Sequence, residues 1–187
     1  MNDFLFERGR LLENQFYREK DRHLLDRLRA EMQAEDARKA LTLASGIQDE
    51  KVVSELVENN ISAETLTSVS LIPLVTVAWA DRTLEAAERR AVLTAATGSG
   101  IEPGSVAYAL VESWLEEEPS AELFESWKHY VHALKQTIDA ASLMHLKTSV
   151  MKRAKEVAES AGGVLGVGRV SVEEKDVIEE MEAVFDG

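Results

Sequence analysis

Asp81 and Glu88 stand at an i, i+7 spacing across the join of two hydrophobic stretches, Val77-Ala78-Trp79-Ala80 before it and Leu84 to Leu93 after it. The pattern reads as one buried helix ending, a tight acidic corner, and a second helix beginning. In that second helix Leu84, Ala87, Ala91 and Val92 share a face at about 100° per residue, while Glu85, Glu88, Arg89 and Arg90 lie mostly on the others. The spacing recurs. An offset of 86 residues pairs Leu84 with Val170, Glu88 with Glu174, Arg89 with Lys175, Ala91 with Val177 and Val92 with Ile178. Ser171 and Glu174 form the capping-box signature of a helix start, and Glu85 holds the equivalent position in the first copy. A chain that repeats a helix start in this way is expected to be all-α, a bundle of two similar helix-turn-helix halves.

The remaining pattern is also helical. With 10 Gly and 3 Pro in 187 residues, few breakers interrupt the periodic stretches. The expected helices run from an Asp36 cap to Ser45-Gly46, from Asp49 to Asn59-Asn60, and from Leu71 to Ala80 with Pro73 in the first turn. A further turn is expected from Ser62 to Thr67. The helix after the acidic corner reaches Thr97, and Gly98-Ser99-Gly100 closes it. Later helices span Ser105 to Glu116 with Val106, Leu110, Trp114 and Ala107 as the inward candidates, Ser120 to Gln136, Asp139 or Ser142 to Ser160, and Val172 to Val184. His129 and His132 share a helix face at i, i+3, but no Glu-x-x-His frame surrounds them, so they are expected at the surface or core edge.

Charge removes several function classes. A net charge of -13 is poorly suited to neutralising phosphates, so neither nucleic acid nor an anionic membrane surface is the expected partner. Without cysteine there is no disulfide, thiol catalysis or Cys-ligated zinc. No apolar run approaches the roughly 20 residues of a membrane span. Met1-Asn2-Asp3-Phe4 lacks the basic run of a secretory signal, and a cytoplasmic location is expected. No Ser-His-Asp set, Cys-His pair or Gly-rich phosphate loop is recognisable, so the expectation is a protein that is not an enzyme.

Residues 1–33 read as a long charged helix with two apolar stripes, Phe6, Tyr17, Leu24 and Leu28 on one side and Leu5, Leu12 and Phe16 on another. One stripe can pack on the domain, leaving the second for a protein partner or another copy of the chain; an N-terminal helix packed between two neighbours of a bundle would show the same pattern. The run from Arg8 through Glu13, Phe16, Tyr17 and Arg18 to Leu25 and Leu28 resembles the inhibitory helix of the mitochondrial F-type ATPase inhibitor family. That resemblance implies a regulator that inserts this helix into an ATPase. It covers residues 4–30, lacks the family's histidine-rich coiled coil, and is broken by Gly9.

Trp79-Ala80-Asp81 with Glu88, and Gly168 with Glu174, resemble the paired acidic turns of the TerB-like tellurite-resistance family across residues 36–185. The resemblance implies an all-helical domain, over 36–187, in a stress-related regulatory or interaction protein that is not an enzyme. It also implies a divalent cation held by Asp81, Glu85, Glu88 and Glu174, with no other cofactor. Arg82 replaces the family's Gly, and Val167 stands where the second turn should have Asp. Read as residues alone, the same carboxylates serve first as helix caps, with Asp81 paired to Arg82 or another arginine, and only second as ligands.

Overall fold

A computed structural model describes residues 32–160 and 170–187 of the chain. All regular structure among them is helical. Helix α1 covers residues 32–45, followed by α2 (Glu50–Glu58), a 3-10 segment (Leu66–Leu71) and α3 (Ile72–Ala78). Then come α4 (Ala86–Gly98), α5 (Val106–Glu116), α6 (Ala121–Leu134), α7 (Ala140–Ser160) and α8 (Val172–Asp186).

The core is built around α3. Of its seven residues only Thr76 is not buried, and Ile72, Leu74, Val75 and Val77 are 0% exposed. A helix that is apolar on every side must be covered on every side. The 3-10 segment, α4, α6, α7 and α8 do this. Each fully buried leucine or isoleucine here contributes about 1.5–3 kcal/mol. Pro73 falls in the first turn, where its missing N–H costs nothing.

Local signals explain the boundaries. The Asp49 carboxylate accepts from the Lys51 and Val52 amides at 3.0 and 3.3 Å to start α2. Ser105 Oγ accepts from Tyr108 N at 3.1 Å to start α5. At α7, Asp139 rather than Ser142 is the cap, accepting from Ser142 N at 2.9 Å. Those amides and the Ser142 hydroxyl hold the Asp139 carboxyl below its ordinary value. Helix α8 is tied down from two sides: Trp127 meets Phe185 edge-on at 5.9 Å, Lys128 bridges to Glu180 at 2.6 Å, and Lys147 reaches Asp186 at 2.6 Å.

Three expectations are corrected. Asp36 lies inside α1, because Met32-Gln33-Ala34-Glu35 contains no breaker and Glu35 pairs with Lys39 at 2.5 Å along the helix. Val106 faces solvent at 54% exposure, because the inward stripe is Ala107, Val111, Trp114 and Leu115. The Leu71–Ala80 stretch is also shorter as an α-helix than its hydrophobicity suggests, with a 3-10 segment leading into it.

The acidic corner contains a residue in an unfavourable backbone conformation. Arg82 has φ +65°, in the left-handed region that glycine occupies most easily, and its amide donates to Trp79 O at 2.8 Å. The Arg82→Gly variant is therefore expected to be more stable by about 0.5–1 kcal/mol, the relief at this position exceeding the added freedom of the unfolded chain. Urea denaturation measures this. A destabilised Arg82→Gly would show that the arginine side chain contributes more than its backbone costs.

Candidate functional site

The starts of α4 and α8 each bury a glutamate. Glu88 is 4% exposed and Glu174 5%. In each case the side chain turns back to the residue three positions earlier: Glu88 Oε2 accepts from Glu85 N at 2.8 Å, and Glu174 Oε2 from Ser171 N at 2.6 Å. Ser171 Oγ returns the bond by accepting from Glu174 N at 3.1 Å. The pairing seen in sequence extends to packing: Val92 and Ile178 are buried, while Leu84, Val170, Ala91 and Val177 are half-buried against the core. The chain preceding α8, residues 161–169, lies outside the described residues, and the correspondence is seen only from Val170 onward.

The electrostatics of the pair are one-sided. Burial pushes the Glu88 carboxyl up to about 7; the Glu85 amide opposes this, and the negative charges of Glu174, Asp81 and Glu85 add to it. Glu174 Oε1 is buried and finds no hydrogen-bond partner. Oxygens of this kind are uncommon in folded proteins, since the cost of leaving one unpaired is about 1–3 kcal/mol. Asp81 and Glu85 are exposed. Asp81 Oδ1 accepts from Thr83 N at 2.9 Å, and among the described residues Asp81 forms no ion pair with Arg82. Arg89 is occupied elsewhere, donating to Leu115 O at 2.8 Å beside the Trp79 Nε1 bond to Trp114 O at 2.9 Å.

The four sequence-predicted carboxylates thus divide into a buried pair and two exposed residues at the first corner. Among the described residues no group of three or more His, Asp or Glu side chains comes together to hold a metal ion. No protein-family model, curated protein or solved structure matches the chain. The expected partner-binding residues Arg8, Glu13, Phe16, Tyr17, Arg18, Leu25 and Leu28 lie outside the described residues.

His129 and His132 are exposed on α6 and line a cleft of about 350 Å³ with Asp49 and Gln136. His129 Nδ1 lies 2.6 Å from Glu55 Oε2 on α2. That contact joins residues on different helices, so no local spacing announces it.

The raised Glu88 value gives a pH dependence with a definite sign. In the unfolded chain a glutamate ionises near 4.5, whereas folded Glu88 does so near 7. Between those values the folded state binds more protons, so this group's contribution to stability declines as pH rises through that window. Glu88→Gln keeps an oxygen for the Glu85 amide and cannot ionise. Its stability relative to wild type is expected to improve between about pH 5 and 8 by on the order of 1 kcal/mol. Thermal melts across that range check this, and a pH-independent difference would contradict it.

Proposed function

We propose that this chain is a regulatory and interaction protein of the TerB-like kind, not an enzyme, whose helical domain takes up a divalent cation at the Glu88–Glu174 pair. The observation that supports the reading is the buried, unpartnered Glu174 Oε1, whose charge also adds to the upward push on the buried Glu88 carboxyl. A cation there would supply the missing partner and offset both the burial that chiefly holds Glu88 partly protonated near neutrality and the repulsion that adds to it. The donor set favours Mg²⁺. That ion keeps several waters and is bound through one or two carboxylates, whereas Ca²⁺ requires about 6–8 oxygen ligands. Because both carboxylates also hold helix starts, an ion there would act on how α4 and α8 begin, which suits a conformational role better than a catalytic one.

In this reading the N-terminal segment, residues 1–33, whose sequence has a helical pattern, supplies the contact with a protein partner or a second copy. Its two apolar stripes support that assignment.

Calorimetry on the full chain tests the cation. Mg²⁺ binding at pH 7 is expected to release a substantial fraction of a proton from Glu88, making the measured heat depend on the buffer's ionisation enthalpy. Glu174→Gln is expected to abolish binding. If neither Mg²⁺, Mn²⁺ nor Ca²⁺ binds at millimolar concentration, the cation reading fails.

A further inference from the structure

A second cleft, separate from the carboxylate pair, has the chemistry of a ligand site. It measures about 310 Å³ and lies where the 3-10 segment, α6, α7 and α8 meet. Its apolar wall includes Val69, Trp127, Leu134, Leu146, Val150 and Phe185. This volume is at the lower end of small-molecule pockets, which combine apolar walls with a few placed polar groups.

The polar groups that line it are hydroxyls, and one cation stands behind Ser99. Thr67, Ser99 and Tyr130 line the cleft. Burial pushes the Tyr130 hydroxyl up, so it remains a proton donor at neutral pH. Arg153, one turn beyond Val150 on α7, donates through Nη1 to Ser99 Oγ and so stands at the Ser99 end. Arg153 is half-buried, and among the described residues it pairs with no carboxylate although the chain carries a net charge of -13. A guanidinium matches a carboxylate in shape and charge, and a serine hydroxyl leaves most of its donors unused.

We propose that this cleft binds a medium-chain fatty acid, with the alkyl chain along the α6–α7–α8 wall and the carboxylate on Arg153 beside Ser99. The apolar wall alone would accept any small hydrocarbon; the cation at one end selects an anionic head. The exposed Thr67 sits at the rim, so its replacement by a large residue fills the mouth without disturbing the core.

Titration of the full chain with decanoate below its micellar concentration is the test. One saturable site is expected, with decanol weaker by about tenfold for want of the charged contact. Arg153→Gln is expected to reduce decanoate to the decanol level, and Thr67→Trp to remove both while circular dichroism stays helical. Absence of a saturable site overturns the proposal, including the case in which the chain's own N-terminal segment fills the cleft. Equal affinity for decanoate and decanol overturns it too, as does unchanged binding by Arg153→Gln, since either would mean nonspecific partition into apolar surface.

Discussion

Two glutamate carboxylates, each buried at the start of a helix, set the electrostatic character of this fold. Moving a carboxylate out of water is costly, and a second one nearby makes it costlier. The chain offsets part of this by using each glutamate to satisfy an amide at the start of a helix, where the helix dipole also favours negative charge. What remains is visible as a Glu88 carboxyl that ionises near neutrality and a Glu174 oxygen with no partner. Both helix starts belong to elements that pack on α3, so the pair is joined to the centre of the core.

That arrangement ties architecture and responsiveness to the same residues. A capping box stabilises a helix whether or not it is buried. Burial is the added feature, and at Glu88 it makes a helix start sensitive to protons near neutrality. Arg82 contributes in another way, holding the chain in a left-handed turn just before α4 at some backbone cost. The lysines that hold α8 act at the opposite end of that helix, leaving its acidic start free of basic side chains among the described ion pairs.

Much of the fold was legible because its causes are local. Ser171 and Glu174 announce a helix start through spacing alone, and Pro73 and Asp49 do the same for α3 and α2. The offset between the two acidic helices identified Glu88 and Glu174 as equivalent positions. The resemblance to paired acidic turns grouped Asp81 and Glu85 with them. Burial separates the pairs, and burial depends on what packs over each corner. On α5 the expected Ala107, Leu110 and Trp114 do face the core, while Val106, as periodic as they are, faces solvent, a difference that only tertiary packing decides. Arg153 with Ser99, and Glu55 with His129, join distant parts of the chain and leave no periodic trace.

The central claim is that Glu88 shares its burial with Glu174 and stays partly protonated near neutrality. Carbon-13 NMR of the glutamate side-chain carboxyls, followed across pH, measures this directly. The account predicts a Glu88 midpoint near 7 that moves down when Glu174→Gln removes the neighbouring charge. A Glu88 midpoint at the ordinary value of 4.5, unaffected by that substitution, would contradict it.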